Sequence, residues 1–80
     1  MITADGFELA FLGVGAGTNS VDIAVYDYDV CAEVLMTRDK MSVHEAYEYL
    51  DFNVVGAFLG VGTPLFIRTI TYEEAIEEYS

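Results

Sequence analysis

The sequence predicts a small α+β protein, a single domain over residues 1–80 in which a long central helix and flanking helices pack on a small sheet. Three observations predict this fold. Capping motifs mark the starts of helices, and apolar residues recur at helical spacing through the middle of the chain. Short β-branched runs bounded by glycine or proline indicate strands, and 80 residues are expected to form one domain.

The longest helix is predicted to begin at about Val43. Ser42 and Glu45 form a capping box, in which each side chain satisfies a backbone amide of the first turn. Apolar side chains then recur every three or four residues, which predicts a core-facing stripe. Its members are Val43, Ala46, Tyr47, Leu50, Val54, Ala57 and Phe58.

The opposite side of this helix is also apolar in its second half, where Asn53 is the remaining polar side chain. A helix that is apolar all round is covered on both sides. We therefore expect self-association, with a dimer as the first expectation, through Phe52, Val55, Gly56 and Leu59. Asn53 is expected to hydrogen-bond loop backbone within the fold; the alternative is a ligand or a partner's backbone.

A strand over Val21–Tyr26 and a helix over Tyr28–Arg38 precede the central helix. Asp27 is expected to cap the second of these elements. A tight connection through Asp39 and Lys40 then makes the two helices neighbours in a helical hairpin.

The region over Asp5–Leu12 allows two interpretations. Asp5 and Glu8 can cap a short helix that ends before Gly13, whereas the apolar residues of this region also suit strand alternation. These apolar residues are Phe7, Leu9, Phe11 and Val14. The glycines at 13, 15 and 17 precede a strand instead of opening a helix, which argues against a nucleotide-binding loop.

After the central helix, Gly60 and Gly62 are expected to end it, and Pro64 to precede a strand over Leu65–Ile70. The reliable strand count is therefore two, and a two-stranded sheet is marginal alone. Pairing of edge strands, or of apolar helix faces, with a second copy would complete the core.

The hexapeptide Ala10–Gly15 is identical to Ala57–Gly62. If both copies form the last turn of a helix, each half of the chain consists of helix, glycine turn, strand and helix. This is a hypothesis of an internal pseudo-repeat, and independent convergence of two local patterns is the alternative.

A third capping motif, Thr71 with Glu74, predicts a final helix over Tyr72–Tyr79. Its carboxylates repel one another at four-residue spacing, which suits either a solvated tail or a face that meets a basic partner. Together with the exposed positions of the central helix they form a candidate partner-binding acidic face. Its members are Glu45, Glu48, Asp51, Glu73, Glu74, Glu77 and Glu78.

Fourteen acidic residues against three basic ones give a formal net charge of −11. This charge disfavours direct binding to nucleic acid or to anionic membranes and suits a basic protein partner, or maintains solubility alone. The longest uncharged run, Phe52–Ile67, is too short and too rich in glycine to span a membrane, and no secretory signal is evident. The expected location is the cytoplasm.

The sequence contains no convincing catalytic, metal or cofactor site, so we expect no enzymatic activity, metal or cofactor. His44 is expected to be exposed, and Cys31 to be a small core residue instead of a nucleophile. Asp27 and Asp29 could pair for metal or acid–base chemistry, but helix capping and first-turn dipole stabilisation explain them better.

Residues Tyr26–Ile67 resemble a family of small acidic proteins of bacteriophage genomes with no assigned activity. The motifs that carry the resemblance include Tyr26-Asp27-Tyr28-Asp29, Leu35-Met36, Arg38-Asp39, Met41, Glu45-Ala46, Glu48-Tyr49, Phe52-Asn53, Gly56-Ala57, Gly60 and Thr63-Pro64. Lys40 stands where the family pattern has glycine, which argues against a left-handed turn there. The resemblance implies a phage setting, and the host cytoplasm as the location, without a mechanism.

Three functions follow from these features. The first is a non-enzymatic inhibitor or modulator that binds a basic host protein involved in nucleic-acid handling or defence, with carboxylates in place of phosphates. The second is a self-assembling structural module without a host target. The third, ranked last, is a small-ligand-binding protein or an enzyme.

Overall fold

The computed structural model describes residues 1–16, 21–57, 60 and 62–79. Within this part of the chain, helices and a three-stranded sheet form an α+β domain, as the sequence predicts. The elements, in order, are β1 (Phe11–Ala16), β2 (Asp22–Asp27), α1 (Tyr28–Arg38), α2 (Val43–Tyr49), β3 (Leu65–Ile67) and α3 (Tyr72–Tyr79).

The sheet has the order β1-β2-β3, with β2 antiparallel to β1 and parallel to β3. The sequence indicated two strands reliably, and it left the region of the third, β1, open between a short helix and a strand. The predicted Asp5 cap is also wrong, because residues Glu8–Ala10 form a single 3-10 turn with Phe7 at its N-cap, and the chain then enters β1. The strand interpretation of this region is the better one from Phe11 onward.

The two identical hexapeptides have different backbone structures. In the first copy, Phe11 to Gly15 lie in β1. In the second copy, Ala57 ends a 3-10 turn and Gly60 and Gly62 adopt positive φ angles of 96° and 83°; Phe58, Leu59 and Val61 lie outside the described residues. The two copies therefore do not share the helical turn that the pseudo-repeat hypothesis requires.

Strand β3 is shorter than predicted, ending at Ile67 instead of Ile70. Its last residue pairs with Asp27, the final residue of β2. Because α1 begins at Tyr28, β2 offers no further extended backbone, and β3 ends with its partner.

The predicted helical hairpin is present. Helix α1 has the predicted bounds, and the Asp27 carboxylate accepts a 3.0 Å hydrogen bond from the amide of Val30. Lys40, in the connection, has φ of 59°, so the left-handed turn forms although the residue is not glycine. The amide of Met41 donates back to the carbonyl of Leu35, which closes the end of α1.

The central helical segment, Val43–Ala57, is not one regular helix as the sequence predicted. The Ser42–Glu45 capping box starts α2 as expected, but Leu50–Val54 form a π-helical turn and Val55–Ala57 a 3-10 turn. A Cβ on Gly56 would lie 2.9 Å from the Asp51 carbonyl oxygen. The backbone of its own helical segment therefore explains this glycine.

The core lies between the helices and the face of the sheet that carries Ala24 and Tyr26. Leu35 and Leu50 are its largest fully buried side chains, and it contains no buried polar or charged residue among those described. The other members are Ala4, Phe7, Ala10, Cys31, Ala32, Ala46 and Val54. Five of the eleven members are alanine, so the core has little apolar volume for its number of residues.

The predicted core stripe is confirmed only in part. Ala46, Leu50 and Val54 are buried, whereas Val43 and Ala57 are exposed and Phe58 lies outside the described residues. Helix α3 has the predicted bounds, but none of its described side chains is buried.

Candidate protein-binding site

An open cleft of about 420 Å³ runs along the exposed side of the central helical segment. Positions 41, 45, 48, 49, 52 and 53 line it, because residues three and four apart share one side of a helix. The lining side chains are Met41, Glu45, Glu48, Tyr49, Phe52 and Asn53. We call this surface the Phe52 cleft.

Phe52 is the most exposed apolar side chain of the central helical segment, with 77% of its surface accessible. Val55 is also exposed, whereas Leu59 lies outside the described residues. The sequence placed these residues on the side away from the core, and this single chain leaves Phe52 and Val55 uncovered. The exposed ring in the cleft makes this surface the candidate contact site, because aromatic side chains often anchor protein interfaces.

Two carboxylates stand beside Phe52 in this cleft. Glu45 is held by the capping box, in which it accepts a 3.0 Å hydrogen bond from the Ser42 amide, and this bond lowers the pKa of Glu45. Glu48 lies 3.1 Å from the His44 imidazole at i,i+4 spacing, a contact that is an ion pair only when His44 is protonated. The cleft is thus both apolar and negatively charged.

Basic side chains do little to neutralise this protein's surface. Arg38 is paired with Asp39 at 2.9 Å and donates to the carbonyl of Gly6, while Arg68 lies 3.8 Å from Asp29. The chain has one further basic residue, Lys40, in the turn between α1 and α2. The carboxylates of the Phe52 cleft therefore face solvent as net negative charge.

Asp51 does not lie with Glu45 and Glu48, although the sequence grouped the three. Its carboxylate accepts a 2.5 Å hydrogen bond from the Tyr28 hydroxyl, and Tyr47 donates a similar bond of 2.6 Å to Asp29. Asp51 belongs to the π-helical turn, which widens the helix and shifts the positions that follow it.

These four side chains and Arg68 form a cluster that sequence reasoning missed. The rings of Tyr28 and Tyr47 are 5.4 Å apart, and the Arg68 guanidinium lies 4.7 Å from the centre of the Tyr28 ring. Burial, followed by the Asp51 hydrogen bond, raises the pKa of Tyr28 to about 12, and the hydrogen bond to Asp29 raises the pKa of Tyr47. The cluster ties α1, the central helical segment and the end of β3 together.

The acidic residues of α3 are exposed, as predicted. Glu74 is occupied in the capping box, where Thr71 Oγ1 accepts from its amide at 3.2 Å and donates to its carboxylate at 3.0 Å. The others, Glu73, Glu77 and Glu78, face solvent.

Asn53 differs from its prediction. It is exposed in the Phe52 cleft, and among the described residues no hydrogen bond joins its side chain to loop backbone. The physical reason is the position of the residue, since the side of the segment on which it lies is not covered by this chain. Its amide is therefore free to meet a molecule that enters the cleft.

The remaining candidates for chemistry have structural explanations. Cys31 is fully buried in the core, and burial raises the pKa of its thiol to about 11, which makes it a poor nucleophile at neutral pH. Asp27 caps α1, and Asp29 accepts from Tyr47. Over the described ranges, no three His, Cys, Asp or Glu side chains are placed to hold one metal ion.

No family model matches the chain, and searches of curated proteins and of solved structures find no significant match. Across the part of the chain that the structure describes, no helix is both long and apolar enough to cross a bilayer.

Proposed function

We propose that this chain is a non-enzymatic protein that acts by contact with a basic protein partner at the Phe52 cleft. The proposal rests on the exposure of Phe52 in a cleft that Glu45 and Glu48 also line. Aromatic anchors supply much of the affinity of protein interfaces, and flanking charges supply specificity and a faster encounter.

The charge pattern favours a partner that handles nucleic acid. Glu45 and Glu48 are three residues apart, which separates them by about 4.5 Å along the helix axis. They lie on one exposed side of the helix, and carboxylates grouped in this way can meet basic side chains that otherwise bind phosphates. The resemblance to phage proteins supports a host nuclease, polymerase or defence protein as the target, met in the host cytoplasm.

Self-assembly without a host target is the second candidate. The exposure of Phe52 and Val55 favours it, since a second copy could cover both. The carboxylates weigh against it, because a symmetric contact here would bring the Glu45 and Glu48 side chains of two copies together. This repulsion is absent when the partner is basic.

Capture from host extract tests the proposal. The immobilised wild-type chain is compared with a Glu45→Gln/Glu48→Gln variant, which keeps side-chain shape but removes two charges. We expect the wild type to retain basic proteins at low salt, to release them at about 0.3 M salt and to lose them to a competing DNA duplex. Equal retention by the two chains, or retention insensitive to salt, would refute the proposal.

A further inference from the structure

Strand β1 has a paired neighbour on one edge only. It is an edge strand of the sheet, next to β2. No strand pairs with its other edge within residues 1–16, 21–57, 60 and 62–79. Such an edge presents unpaired amide and carbonyl groups that can bind another strand.

The two edges of this sheet differ in how they are protected. Strand β3 has three residues, with Pro64 immediately before it and Arg68 immediately after it, and short edges flanked by proline or charge resist pairing. Strand β1 has six residues, Phe-Leu-Gly-Val-Gly-Ala, without a charge or a proline. A register irregularity between Phe11 and Gly13 disturbs its first half, which leaves Gly13–Ala16 as regular edge.

The apolar side chains of β1 are also uncovered. Phe11, Leu12 and Val14 are all exposed, and Val14 has 58% of its surface accessible. They form an uncharged surface in a protein of net charge −11, at the place where the edge of the sheet is open.

The surface area of the chain indicates how much remains to be covered. A compact monomer of 8.8 kDa is expected to expose about 4,800 Å², whereas this chain exposes 5536 Å². The excess, about 740 Å² over the whole chain, means that this fold alone buries less surface than a compact monomer of its size. The radius of gyration, 13.4 Å, likewise exceeds the value of about 11.6 Å expected for 80 residues.

We infer that β1 pairs antiparallel with β1 of a second copy and forms a continuous six-stranded sheet. Uncharged β1 is a surface on which two copies of this acidic chain can meet without opposing carboxylates, unlike the Phe52 cleft. An antiparallel pair about a two-fold axis is a closed contact, so the product is a dimer and not a fibre. Six strands is a common sheet size.

The test is the solution mass of the full chain and of paired charge variants, measured by sedimentation equilibrium from about 5 to 200 μM. Pairing centred on Val14 places the two Val14 side chains opposite each other at the axis, on one face of the sheet, so Val14→Asp and Val14→Lys should each weaken dimerisation by about tenfold or more. An equimolar mixture of the two variants should recover a dimer. Leu9→Asp is the control, because Leu9 is 88% exposed and lies outside the strand.

A wild-type chain that stays at 8.8 kDa at 200 μM would overturn the inference. A dimer that Phe52→Asp dissociates and Val14→Asp leaves intact would also overturn it and would place self-association on the helix. If a Val14 variant fails to fold, hydrogen exchange of the wild type decides: protection of the Gly13–Ala16 amides should rise with protein concentration, and constant protection would refute pairing. The Glu45 and Glu48 variants test the basic partner separately, so the two proposals can fail independently.

Discussion

The Tyr28 hydroxyl donates a 2.5 Å hydrogen bond to the Asp51 carboxylate, and this contact joins the first turn of α1 to the π-helical turn. Removing it with Tyr28→Phe should lower the free energy of unfolding by about 1 kcal/mol, the typical net contribution of an intramolecular hydrogen bond. Urea unfolding of Tyr28→Phe, Asp51→Ala and the double variant should give a coupling energy of similar size. Additive single-variant effects would show that the contact contributes nothing; Tyr72→Phe, on the exposed face of α3, is the matched control.

The same tyrosine predicts a loss of stability at alkaline pH. Its pKa is raised to about 12, mainly by burial and then by Asp51, whereas an unfolded tyrosine ionises near pH 10. The folded state therefore holds this proton more tightly. The stability that Tyr28 contributes to the folded state is complete below about pH 10 and is lost as the pH rises toward 12. The urea midpoint of the wild type should fall from pH 8 to pH 10 and pH 11, and that of Tyr28→Phe should fall less steeply. Equal declines in the two chains would show that Tyr28 is not the group responsible.

The backbone conformation of Lys40 costs free energy that a glycine at this position would not. Its φ of 59° is the left-handed conformation, which disfavours residues with a Cβ. We expect Lys40→Gly to raise the free energy of unfolding by about 0.5–1 kcal/mol, after allowance for the greater freedom of glycine in the unfolded chain. Lys40→Ala keeps the Cβ and should bring no such gain. A Lys40→Gly chain no more stable than Lys40→Ala would show that the left-handed conformation has no such cost at this position.

The two capping boxes should differ in their effect on global stability. Ser42→Ala removes the cap of α2, which carries buried Ala46, and should cost about 1 kcal/mol in urea unfolding. Thr71→Ala removes the cap of α3, which buries no described side chain, so it should speed hydrogen exchange within α3 and leave the urea midpoint unchanged. Equal losses of global stability would mean that α3 is part of the cooperative unit.

Sequence reasoning succeeded where the signal is local. The caps by Asp27, Ser42 and Thr71 depend on neighbouring amides, and all three are present. It left β1 undecided, because the two glycines in Phe11–Ala16 are typical of a turn and pairing with β2, a non-local contact, makes the segment a strand. The π-helical turn was likewise not predictable, since it accompanies a contact between residues 23 positions apart, Tyr28 and Asp51.

The candidate site likewise has features that the sequence predicted and features that it did not. Helical spacing correctly placed Phe52 away from the core, and the structure puts Glu45 and Glu48 beside it in the cleft. Helical spacing could not show that Asp51 turns toward Tyr28, or that Asn53 is exposed. Both outcomes depend on which sides of the segment the rest of the chain covers.

Binding measurements on two single variants decide whether Phe52 makes the contact with the partner. Phe52→Ala and Leu9→Ala each remove an exposed apolar side chain, one inside the cleft and one outside it, and neither should alter the thermal midpoint. On host proteins captured by the wild type, we predict affinity about tenfold or more weaker for Phe52→Ala and unchanged for Leu9→Ala. Undiminished binding by a folded Phe52→Ala chain would show that the partner binds elsewhere.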